Sequence, residues 1–166
     1  MPLRSPALSR RTARRAFSLV ELVIVMSILG IAAAIAVPRF VSAQQRYQAL
    51  ATANRVVADL ALARADARQT STSRKVYFDT AVESLTMPGV EPVIGGVDAV
   101  SKTGDYQVLF DREPYHADLV KADFGGDAVV VFDGFGRPDS GGTLVVQSGG
   151  TEVTVTLDPE TGEASR

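Results

Sequence analysis

The feature that most constrains this chain is an apolar run of 21 residues, FSLVELVIVMSILGIAAAIAV at 17–37, set directly behind an arginine-rich head. Only Ser18, Glu21, Ser27 and Gly30 interrupt it. Wound as an α-helix at about 1.5 Å per residue it would be about 30 Å long, the thickness of a bilayer's hydrocarbon core. Residues 1–16 carry Arg4, Arg10, Arg11, Arg14 and Arg15 and no acid, a charge of +5. Arginines before the run and none within it orient the helix by the positive-inside rule, with 1–16 cytoplasmic and everything after Pro38 outside. A buried core helix needs neither so uniform a run nor an arginine block beside it. A secretory signal peptide shares the basic head, but the run is long for one and AVPRF at 36–40 is a poor cleavage site. The sequence therefore predicts one membrane-spanning segment.

The net charge of −2 hides this division. Without the five head arginines, 12 of the 17 basic side chains remain against 19 acidic ones, a charge of −7. Such a balance speaks against nucleic acid as a partner. The chain has no cysteine, which excludes disulfide scaffolds, thiolate metal sites and thiol nucleophiles, and its single histidine, His116, excludes multi-histidine metal sites. With 46% hydrophobic and 22% charged residues, 166 residues suffice for one packed domain behind the terminal segment.

Glu21 is chemically out of place, four residues after Phe17 and one turn inside the apolar run. An ionised carboxylate there costs a few kcal/mol, so it needs a cation or a proton, or a position at the interface from which it snorkels to water. The nearest basic residues are Arg15 and Arg39. A cut before Phe17 would create an α-amino group one turn away, able to meet Glu21 of a neighbouring chain.

Beyond Pro38 helical spacing continues through residues 39–73. Val56, Leu60, Ala63 and Ala67 form one stripe, with Arg55, Asp59, Asp66 and Arg68 expected on other faces. Pro38 should kink the helix or loosen its preceding turn rather than end it, and the helix should fade around 69–73. From Lys75 the pattern turns to strands: KVYFDTA, ESLTM, YQVLF, AVVVF, TLVVQS and TEVTVTL. Gly149 and Gly150 predict a tight hairpin between the last two. In the final run Thr151, Thr154 and Thr156 are expected on a wet face and Val153, Val155 and Leu157 on a dry one. Residues 87–104, with two prolines and four glycines, predict a long irregular loop.

RRAFSLVELVIVMSILGIAAAIAVPRF, at 14–40, resembles the cleavage and methylation motif of type IV prepilins and type II secretion pseudopilins. The resemblance implies that a prepilin peptidase removes the basic leader between Ala16 and Phe17 and that the new amino terminus of Phe17 is N-methylated. Glu21 matches the family's acidic residue four positions after the new terminus, and Pro38 matches the proline closing the apolar run. Ala16 departs from the pattern, which usually has glycine there. A looser resemblance, to the H-type pseudopilin and FimT group, is carried by VVADLALARADARQTSTSRKVYFD and by VVVFDGFGRPDSGGTLVVQSGGTEVTVTLDPETGEASR.

That family implies an α+β, pilin-like fold, in which a long N-terminal helix, membrane-spanning in its first half, packs on an antiparallel β-sheet domain. The segments expected are a leader at 1–16, a transmembrane and filament-core helix at 17–38, its amphipathic continuation at 39–73 and a β-rich periplasmic domain at 74–166. The function implied is a minor pseudopilin of a type II secretion pseudopilus in the bacterial inner membrane. Its partners would be the prepilin peptidase and methyltransferase, other pseudopilin or pilin subunits, the inner membrane and its assembly platform. The alternatives are a FimT-like minor type IV pilin in pilus assembly or DNA uptake and a membrane-tethered periplasmic enzyme. Against the enzyme, His116 in PYHADL lacks a serine elbow. FDGFGRPDSGG places Asp133 and Asp139 among glycines but lacks the alternating ligands of a calcium loop, so a plain turn is expected. No catalytic residue, cofactor or metal ligand is expected.

Overall fold

The computed structural model describes residues 17–90 and 104–166. Helix α1 (Leu19–Thr70) runs for 52 residues with Pro38 inside it. Eight strands follow: β1 (Arg74–Asp79), β2 (Ser84–Met87), β3 (Tyr106–Leu109), β4 (Asp118–Phe124), β5 (Val129–Phe132), β6 (Gly142–Ser148), β7 (Thr151–Leu157) and β8 (Ala164–Ser165). The chain divides into two compact units, Met1–Arg39 and Phe40–Arg166.

In the first unit every described residue is exposed. The helix carries no stripe there because its side chains are apolar on all sides, the pattern of a segment that buries itself in lipid or among other helices. In the second unit α1 becomes amphipathic as its spacing predicts. Val56, Leu60, Ala63 and Ala67 are all fully buried. The helix stops within the expected window. Ser71 takes a left-handed conformation at φ 50°, and the Thr72 N–H reaches back to the Ala67 carbonyl at 3.2 Å. This is the bond pattern of a Schellman cap, which satisfies a carbonyl the helix end would otherwise orphan.

The strands form two antiparallel four-stranded sheets, ordered β3-β2-β1-β5 and β4-β6-β7-β8, the antiparallel β domain that was expected. Val76, Leu85 and Val108 from the first and Leu144 and Val155 from the second share a core with Val56 and Leu60 of the helix. The Phe78 and Phe124 rings stack across the sheets at 5.2 Å. The predicted hairpin is present: Ser148 pairs with Thr151 around Gly149, whose φ of +55° suits a residue without a Cβ.

Four expectations need correction. Strand β4 was missed because a bulge between Leu119 and Lys121 breaks the two-residue alternation, and DLVKADF has little β-branched content. Two-residue β8 is too short to leave a pattern. Thr151 falls on the side of Val153, Val155 and Leu157, since residues of one parity share a face, and it is half-buried there. Asp59 is buried at 3% exposure rather than turned outward. Its carboxylate accepts the Tyr106 hydroxyl at 2.6 Å and faces the Arg55 guanidinium at 3.0 Å, so burial is tolerated because charge and hydrogen bond are both answered. The leader at 1–16 and most of the expected irregular loop, 91–103, lie outside the described residues.

Candidate assembly site

Phe17 and Ser18 precede the first turn of α1, and the Ser18 carbonyl accepts the Leu22 N–H at 3.1 Å. Ser18 thus stands at the N-cap position and Glu21 at the third helical residue, the spacing of a capping box. Glu21 is exposed in the first turn, where the free N–H groups and the helix dipole favour a carboxylate by about 0.3–1 kcal/mol. The sequence pattern S-x-x-E carries this signal. The structure places Phe17 and Glu21 one turn apart, while Pro38 lies 17 residues beyond Glu21, about 25 Å along the helix. Ala16 lies outside the described residues.

Around these positions the surface is apolar without relief. Phe17 is 80% exposed, and Leu19, Val20, Leu22, Val23 and Ile24 all keep more than half of their surface open. The helix is long and apolar enough to cross a membrane, and none of its apolar stretch is buried in the protein.

Ser148 and the aspartates of the FDGFGRPDSGG turn make hydrogen bonds within the fold. The Ser148 hydroxyl lies 3.0 Å from the carbonyl of His116 and 3.1 Å from Oε1 of Gln48, so it engages the His116 backbone and not its imidazole. The ring itself sits 3.9 Å from Glu113 on a half-exposed surface. In FDGFGRPDSGG the Asp133 carboxylate accepts the N–H groups of Arg137 at 2.8 Å and Phe135 at 2.9 Å. Those bonds, the Arg137 N–H foremost, hold the Asp133 carboxyl below its ordinary value. Asp139 accepts the Val131 N–H at 3.0 Å. Among the described residues no group of three or more His, Asp or Glu is placed to hold a metal.

Two family models match the chain. The prokaryotic N-terminal methylation motif matches residues 11–37, and type II transport protein GspH matches residues 52–162. No curated protein and no solved structure matches it. The first match covers the whole apolar run and the six residues before it; the second runs from Thr52 in α1 through β7. A methylation motif implies a prepilin peptidase substrate that associates with pilin-type subunits, and the single N-terminal apolar helix fits a membrane-anchored protein. With the second match spanning most of its length, the chain belongs to the GspH family of type II transport proteins, structural subunits of pilin-like build.

Proposed function

We propose that the chain is a minor pseudopilin subunit of a type II secretion pseudopilus. A prepilin peptidase cuts between Ala16 and Phe17, the Phe17 amine is methylated, and the subunit enters the filament through its N-terminal helix. Before assembly residues 1–16 face the cytoplasm and the domain after Pro38 faces the periplasm, the orientation that five arginines before the span favour.

The observation that supports this reading best is the wholly exposed apolar helix with a single carboxylate in its first turn, inside a matched methylation motif. Lipid satisfies the apolar surface of the free subunit. In a filament the helices replace lipid for one another, and Glu21 then needs a cation in a dry core. The amine of a cut and methylated Phe17 on a neighbouring subunit supplies one. Pro38 contributes by its missing N–H, which loosens one turn at the boundary between the apolar and amphipathic halves. N-terminal sequencing or intact mass of the membrane-extracted protein tests the processing: a mature chain should begin at Phe17. A start at Met1, or beyond Val37, would overturn the pilin reading.

A further inference from the structure

Three arginines gather at one end of the second unit. Arg64 and Arg68 stand one turn apart near the end of α1, and Arg137 comes from the turn between β5 and β6. With Phe135, Glu160 and Glu163 they line an open cleft of about 680 Å³. Phe135 is 79% exposed, yet the turn that carries it is held from several sides. Asp133 takes the N–H groups of Phe135 and Arg137, and Arg68 Nε donates to the Phe135 carbonyl at 2.9 Å. A Cβ on Gly134 would come within 2.9 Å of the Ser71 backbone, and one on Gly136, at φ +76°, within 2.5 Å of Arg68 Nε. Both glycines therefore allow the turn to close on the helix end. The backbone under the exposed ring is thereby held in place.

The cations are only partly answered. Glu163 lies 3.9 Å from Arg64, a loose contact, and the Arg64 Nε is buried with no hydrogen-bond partner among the described residues. Arg137 is exposed, and its charge acts on the Asp133 carboxylate at the base of the same turn. The charged lining of the cleft is three arginines against two glutamates on a chain that carries −7 beyond its leader, and planar guanidinium groups match carboxylates in paired hydrogen bonds. An exposed aromatic ring among arginines is also the composition that dominates protein–protein binding energy.

We propose that this cleft seats a carboxylate-bearing segment of a neighbouring pilin-like subunit, its acidic side chains on Arg64, Arg68 and Arg137 and an apolar side chain on Phe135. The proposal rests on the assembly reading above and adds the surface that contacts the neighbour's globular domain. Glu160 and Glu163 in the lining favour a peptide over nucleic acid, because a continuous phosphate backbone would run against both carboxylates, whereas separate acidic side chains can be placed to reach the arginines.

Photo-crosslinking of the full-length chain in its own membranes tests this, with p-benzoylphenylalanine at position 135 and, separately, at position 24 in the apolar helix. The label at 135 should capture a pilin-like subunit through a peptide holding at least two Asp or Glu residues. Arg137→Glu should lower that yield about tenfold and Arg137→Lys should keep most of it, with capture from position 24 unchanged. Silence at 135 while 24 captures subunits would overturn the cleft and leave assembly standing. So would a captured peptide without acids, a nucleic-acid adduct, or indifference to Arg137→Glu. Silence at both positions would remove the assembly reading and this one with it.

Discussion

Glu21 has two physical roles that differ in size, and the difference makes them separable. As the third residue of a helix, its charge is worth about 1 kcal/mol or less against the dipole. As one partner of a buried ion pair in a filament core, its loss costs about 3–5 kcal/mol, a factor of hundreds or more in docking. Glu21→Ala and Glu21→Gln should therefore leave cleavage and membrane level intact while removing the subunit from sheared or cross-linked filaments. A loss of only a few-fold would leave the helix-end role alone, and unimpaired assembly of both variants would rule the pairing out. Asp133 offers a test by pH. Its carboxyl sits below its ordinary value of 3.8, so the ionised group stabilises the fold above that pH, and the contribution fades as pH falls through the lowered value. Asp133→Asn should unfold more easily at pH 7 than the parent and lose less stability on acidification below pH 3.8, by thermal melts across pH. Glu83 acts in the opposite sense. Burial raises its carboxyl above 4.5 despite the bond from the Leu119 N–H, so its contribution is full below that pH and declines as pH rises through the raised value.

At the scale of elements, α1 and six strands could be located from spacing and β-branched content, because burial on one face writes a period into the sequence. The stripe from Val56 to Ala67 is the clearest case, each of its four named positions being fully buried. What periodicity hides is pairing. Strand β4 pairs with β6 in a second sheet, and nothing local in TLVVQS states that it pairs with DLVKADF. Asp59 was misplaced for a related reason: its partner Tyr106 is 47 residues away on β3. The arginine cleft joins residues from α1, the β5–β6 turn and the segment after β7, so only GFG, an aromatic residue between glycines, hinted at it. The Asp59 contact predicts a graded series. Tyr106→Phe should cost about 1.5–3 kcal/mol, the worth of a hydrogen bond to a charged group. Leu60→Ala, which empties a fully buried site, should cost about 2–5 kcal/mol. Chemical denaturation of the domain beyond Pro38 measures both, and a neutral Tyr106→Phe would mean that the buried Asp59 charge does not depend on the Tyr106 hydroxyl.

For the molecule as a whole, the core and the apolar anchor occupy separate stretches of chain. Every member of the buried core lies at or beyond Ala49, and the first unit contributes no buried residue among those described. A fragment beginning at Gln44 keeps the whole stripe of α1 and both sheets while shedding the surface that demands lipid. It should fold alone as a monomeric α+β domain with a single cooperative melt. It also sheds six of the 17 basic residues and one of the 19 acidic ones, leaving 11 against 18 and a net charge of −7. Duplex DNA binding draws on cations that displace condensed counterions, and here any cationic patch acts against the field of the rest of the domain. The three arginines of the cleft are too few, and too close to Glu160 and Glu163, to track a phosphate backbone. The fragment should therefore bind duplex DNA weakly, and the binding should fall steeply as salt rises from about 50 to 200 mM. Sedimentation and a salt series of anisotropy titrations measure the two properties on one sample. Aggregation or a gradual melt would show that the core needs the first half of the helix, and tight, salt-resistant DNA binding would return the uptake-pilin function to the front.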